Sequence, residues 1–122
     1  MRYMLMHYTD TYYTKDNPPP AEFNERMGAM LEQMNKAGIL LAGEGLQHPD
    51  TGTKITLNNG KISESDGPYA EAKEVIGGFV MLDLRSQDEA VEWARRFLEC
   101  FSDMATNVDV EIRRITEYSD FE

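Results

Sequence analysis

The first apolar run, RYMLMHY at residues 2–8, is hydrophobic on both parities, with Tyr3 and Leu5 on one side and Met4, Met6 and Tyr8 on the other. A strand covered on both faces has this pattern, so it is expected near the centre of a sheet. His7 shares the parity of Tyr3 and Leu5. After a polar loop, NPPP (Asn17 to Pro20) ends extended chain and suits a first helical turn. Phe23, Met27, Met30, Leu31 and Met34 then recur at spacings of three and four, which predicts a helix over 21–36 with one stripe toward a core. Gly38 is placed to close that helix.

ILLAGEGL (39–46) reads as a second strand, frayed by its glycines. In TKITLNNGKISES, Ile55 and Leu57 alternate before Asn59-Gly60 and Ile62 follows it, the signature of a tight β-hairpin. Asp66-Gly67-Pro68 punctuates its end, and GGFVMLDL (77–84) is again apolar on both parities until Asp83. SQDE (86–89) is a capping box, opening a helix that carries Ala90, Ala94, Phe97, Leu98 and Phe101 on one stripe. NVDVEIRRI (107–115) alternates Val108, Val110 and Ile112 against Asp109, Glu111 and Arg113, a strand with one wet face.

The order is strand, helix, strand, inserted hairpin, strand, helix, strand. That is two split β-α-β halves, the α+β ferredoxin-like pattern. Two helices cover one face of a four-stranded sheet, yet two strands are apolar on both faces. Pairing of two copies through the uncovered face resolves the mismatch, so a homodimer is expected.

Composition narrows the partners. The chain has 122 residues, a length that suits one domain over 1–122, and folding buries roughly two thirds of the unfolded surface. With 12 basic and 22 acidic residues the net charge is −10, which argues against nucleic acid and anionic membrane as partners. No apolar run approaches the roughly 20 residues of a bilayer span, no leader is visible, and the lone Cys100 cannot close an internal disulfide. These features point to a soluble, cytoplasmic protein.

GEGLQ (43–47), DGPYAEAKEVIGGF (66–79) and DEAVEWA (88–94), together with the opening MRYMLMHYTD, resemble the DGPF-type branch of the YCII-related family, with Tyr69 in place of the name-giving phenylalanine. The resemblance runs over roughly the whole chain. It implies a ferredoxin-like subunit that pairs as a dimeric α+β barrel, and some relatives occur with sigma factors. Members nearer the founding branch carry a His and an Asp suspected as a catalytic pair, the His on the first helix. Residues 21–36 hold no histidine here, so only Asp66 matches the acidic partner.

The candidate chemistry carries paired readings. Asp66, beside Gly67, stands where the inserted segment returns to the sheet; it is a catalytic carboxylate or a residue that caps its own turn. Gly67, Pro68 and Tyr69 complete its loop as candidate ligand contacts, while Glu71, Lys73 and Glu74 read as solvated turn charges. His7 is an acid–base group or a packed core imidazole. His48 lies near Glu44 and Asp50 in sequence, but the spacing matches no compact zinc signature, so no metal is expected and Glu44 and His48 remain ligand-contact candidates. Arg113 orients a small anion or pairs with Glu111. The many methionines read as core filling and Cys100 as structural. GEGL is neither a phosphate loop nor a dinucleotide fingerprint, so no cofactor is expected.

Two functions follow. One is a homodimer enclosing a cavity for a small organic ligand at the sheet face, with acid–base chemistry from Asp66 and His7. The alternative is a non-catalytic interaction or regulatory module, linked through the resemblance to sigma factors. A closed apolar cavity containing Asp66 and His7 together favours the first; a solid sheet interface with Asp66 spent on its own turn favours the second.

Overall fold

The computed structural model of the chain describes residues 1–10, 12–67, 75–102, 104 and 107–122. The elements are β1 (Arg2–Thr9), α1 (Ala21–Lys36), β2 (Leu40–Gly45), β3 (Thr53–Asn58), β4 (Lys61–Asp66), β5 (Val75–Asp83), α2 (Gln87–Glu99) and β6 (Val108–Arg114), with short 3-10 turns at Pro49–Thr51 and Tyr118–Phe121. The main sheet has the order β2-β5-β1-β6, every neighbouring pair antiparallel. Both helices pack on one face. This is the ferredoxin-like α+β arrangement, with the two doubly apolar strands at its centre.

The register explains why those strands need two apolar faces. Tyr3 lies opposite Leu82 and Leu5 opposite Val80, and all four are buried beneath the helices. Met4 opposite Met81 and Met6 opposite Phe79 project to the other side, where all four are half-buried in the single chain. Met30 and Met34 anchor α1 to the core, with Ala90, Ala94 and Phe97 from α2 beside them. A side chain as fully enclosed as Leu82, at 0% exposure, contributes about 2–5 kcal/mol when compared with alanine.

The caps follow the residues that make them. Ser86 Oγ accepts from the Glu89 amide at 3.3 Å, while the Glu89 carboxylate reaches back one residue further than the standard box, accepting from the Arg85 amide at 3.1 Å. At the end of α1 the Gly38 amide donates to Asn35 O and the Ile39 amide to Met34 O, returning the chain toward β2. The C-terminal segment is tied back by Arg2 to Glu117 at 2.7 Å and Arg114 to Asp120 at 2.8 Å.

The hairpin β3–β4 forms its own two-stranded sheet and turns at Asn59-Gly60, whose φ values of 51° and 78° suit a primed turn. Its residues are exposed throughout, and Ile55, Leu57 and Ile62 share one uncovered face. At its base a Cβ on Gly67 would fall 1.8 Å from Pro49 O, so only glycine allows the strand end to lie on that turn. Among the described residues, no helix is long and apolar enough to cross a membrane.

Candidate functional site

Between the sheet and the two helices lies a cavity of about 350 Å³. Its floor is His7 and Thr9 of β1 and Gly77 of β5; Met27 and Leu31 of α1 form one wall and Phe97 of α2 another. The backbone of β2 from Gly43 to Gly45 borders it. This space belongs to one chain and to the helix side of the sheet.

The floor depends on the glycine pair. A bulge falls between His7 and Tyr8, where the register passes from Gly78 to Ile76 and leaves Gly77 as the extra residue. A Cβ on Gly77 would sit 2.6 Å from His7 Nε2, and one on Gly78 would sit 2.7 Å from both His7 Cε1 and Glu44 O. The imidazole therefore lies directly over the backbone of β5, in space that any other residue pair would fill. One side of the ring meets Phe97 at a centroid distance of 5.2 Å and Phe101 at 6.1 Å.

His7 makes no hydrogen bond through its ring to any described residue. Burial pushes its pKa below the ordinary 6.5, because a charged ring loses solvation there and gains no counter-charge. It is thus neutral near pH 7 and offers one N–H donor and one lone pair. Burial likewise raises the pKa of Tyr12 and of Tyr13, so both hydroxyls stay protonated. Tyr13 Oη meets Met104 Sδ at 3.4 Å; the buried Tyr12 hydroxyl finds no partner among the described residues.

The other candidates from the sequence are distributed elsewhere. Asp66 is exposed at the end of β4, where it accepts a hydrogen bond from Thr53 Oγ1 at 3.1 Å across the hairpin base. It is not among the cavity-lining residues, so His7 and Asp66 are not brought together there. Gly67 serves the approach to Pro49 described above. Pro68 and Tyr69, with Glu71, Lys73 and Glu74, lie outside the described residues. Glu44 borders the cavity, but it pairs with Phe79, so its side chain leaves from the face opposite that of Gly43 and Gly45.

His48 caps the 3-10 turn: its Nδ1 accepts from the Asp50 amide at 3.1 Å. The same nitrogen lies 3.0 Å from Asp50 Oδ1, a contact that becomes attractive only on protonation. Its ring meets Tyr12 edge-on at 4.7 Å, which ties this turn to the loop beside the cavity. Arg113 is 3.9 Å from Glu111 on the open sheet face, and Tyr8 donates to the same Glu111 at 3.2 Å. Among the described residues, no three or more His, Cys, Asp or Glu gather as metal ligands.

Periodicity assigned Phe23, Met27, Leu31, Phe97 and Phe101 to the core, and they do pack against it, but they also line the cavity. Tyr12 and Tyr13 were hidden in what reads as a polar loop. The signal that could have pointed here is Gly77-Gly78 inside a strand, since adjacent glycines in a sheet mark close approach by another group.

A family model described as YCII-related domain matches residues 1–116. Among solved structures, one similar chain is 5-chloro-2-hydroxyhydroquinone dehydrochlorinase from Burkholderia phenoliruptrix in complex with 2,5-dihydroxybenzoquinone. It has 14% identity and a TM-score of 0.46, over 98% of each chain. A search of curated proteins finds no match. With nearly its whole length matched by the family model, the chain belongs to the YCII-related family.

Proposed function

We propose that this protein binds a small organic molecule in the helix-side cavity, as a homodimer, with the His7 imidazole as its proton-exchanging group. The observation that carries this reading is His7 itself: a half-buried ring at the cavity floor, held neutral, with neither nitrogen engaged by a described residue. A packing histidine has its polar atoms satisfied, whereas this one keeps a donor and an acceptor available. Asp66 in this reading secures the hairpin through Thr53 instead of pairing with His7. DGPYAEAKE supports placement in the DGPF-type branch.

The dimer reading rests on the open sheet face, where Met4, Met6, Phe79 and Met81 form a half-buried apolar field beside Tyr8, Glu111 and Arg113. Sedimentation equilibrium at micromolar concentration should give the dimer mass, with a total interface above about 1,000 Å². A fragment library titrated into isotope-labelled protein tests the ligand reading. Hits should perturb the amides of His7, Gly77 and Phe97 first; hits that perturb only the open sheet face would contradict it.

The exposed Ile55, Leu57 and Ile62 favour a second reading, a module that docks a protein partner through the hairpin, consistent with a regulatory role near sigma factors. Serine at these three positions should then abolish partner binding and leave fragment binding at the cavity unchanged.

A further inference from the structure

We infer that the cavity selects a neutral, planar aromatic molecule carrying a hydroxyl group, an assignment that rests on the cavity being a binding site. The first ground is the shape of the aromatic wall. Tyr13 meets Phe23 at 5.6 Å, Phe23 meets Phe101 at 4.8 Å, Phe101 meets Phe97 at 5.3 Å, and Phe97 meets His7 at 5.2 Å. Each contact is tilted, with interplanar angles of 40–53°. Tilted rings present both electron-rich faces and electron-poor edges, so a flat aromatic guest finds complementary edge-to-face contacts that a saturated ring of the same size does not.

The second ground is charge. Among the described lining residues the only charged type is Glu44, whose side chain leaves from the far face of the sheet. His7 is neutral, and no described lining residue is a cation that would offset the cost of stripping water from a carboxylate. The overall charge of −10 opposes an anion as well. Among the described lining residues a cationic guest would meet no carboxylate but that of Glu44, which is turned away.

The third ground is the imidazole's unspent polarity. A neutral histidine presents one donor and one acceptor, and a hydroxyl can answer either, donating to the lone pair or accepting from the N–H. The match does not depend on which tautomer is present. A carbonyl could satisfy only the N–H, and a hydrocarbon would bury both nitrogens unpaired.

Four probes of similar size separate these grounds when titrated into labelled protein at pH 7.5 and followed by amide shifts: p-cresol, p-xylene, 4-methylcyclohexanol and p-toluate. Expected is p-cresol binding at the His7 and Gly77 amides, about threefold to tenfold tighter than p-xylene through the hydroxyl and than 4-methylcyclohexanol through the ring. The anion p-toluate should bind more weakly than all three. In His7→Phe, and again in His7→Leu, the advantage of p-cresol over p-xylene should vanish while p-xylene still binds. The inference is overturned if the saturated alcohol binds as well as p-cresol, if p-toluate binds best, or if the hydroxyl preference survives both His7 variants. If none of the four perturbs a cavity amide at millimolar concentration, the binding-site reading beneath it falls instead.

Discussion

Strand β1 and the β3–β4 hairpin each supplied one candidate catalytic residue, and the fold treats them in opposite ways. His7 on β1 is carried beneath two helices, flanked by phenylalanines and without a hydrogen-bond partner for its ring among the described residues. Asp66 ends a hairpin whose every residue is exposed, and its carboxylate is engaged by Thr53. Both residues are titratable and both adjoin glycine-bearing segments. What separates them is burial without compensation: Asp66 lies in water with a hydrogen-bond partner, while a half-buried group with none among the described residues has its protonation and its unused bonds set by the cavity.

The largest expected contrast is in stability. Leu82→Ala, in the strand paired with β1, should cost about 2–5 kcal/mol in chemical denaturation, whereas Leu57→Ala on the hairpin should stay within about 0.5 kcal/mol. Equal losses would mean that the hairpin shares the core after all. Next comes Gly78→Ala, whose new methyl meets Glu44 O and the His7 ring at 2.7 Å. It should destabilise by about 1–3 kcal/mol and abolish p-cresol shifts at the cavity amides, because the imidazole must leave its place.

A smaller effect is expected in pH dependence. The pKa of His7 is lowered in the folded state, so on acidification the unfolded chain takes up the proton first. This residue's contribution to stability is therefore full above pH 6.5 and declines as pH falls below it toward the folded pKa. Denaturation of wild type and His7→Phe between pH 7.5 and 5 should show a steeper loss for wild type; parallel curves would remove the uncompensated burial. The smallest effect is expected for Asp66→Asn, which keeps an acceptor for Thr53 Oγ1. Its melting temperature should stay within about 2 °C of wild type and its p-cresol affinity should be unchanged. A large loss of affinity would bring Asp66 back into the site.

Much of this was legible from residue order. Parity placed β1 and β5 at the sheet centre, because only a central strand needs Met4 and Met6 apolar as well as Tyr3 and Leu5. Asn59-Gly60 marked the hairpin turn, and Ser86 marked the start of α2. The cavity was not legible, since Phe23, Met27, Phe97 and Phe101 satisfy a core stripe and a cavity wall by the same spacing. Periodicity says which way a side chain faces and not whether the space before it is filled. Likewise Asp-Gly at 66–67 looks the same whether the glycine admits a ligand or, as here, the backbone of Pro49. Local sequence cannot separate those cases, because the approaching group comes from a segment folded against it by tertiary contacts.

The most direct measurement is the proton titration of the His7 ring by side-chain NMR, resolved from His48 by the His7→Phe spectrum. A midpoint below 6.5, with ring signals that move on addition of p-cresol, is the result that uncompensated burial in a ligand cavity predicts. A midpoint at or above 6.5, with ring signals indifferent to p-cresol, would mean that the imidazole is solvated or already paired, and that His7 is not the working group of this fold.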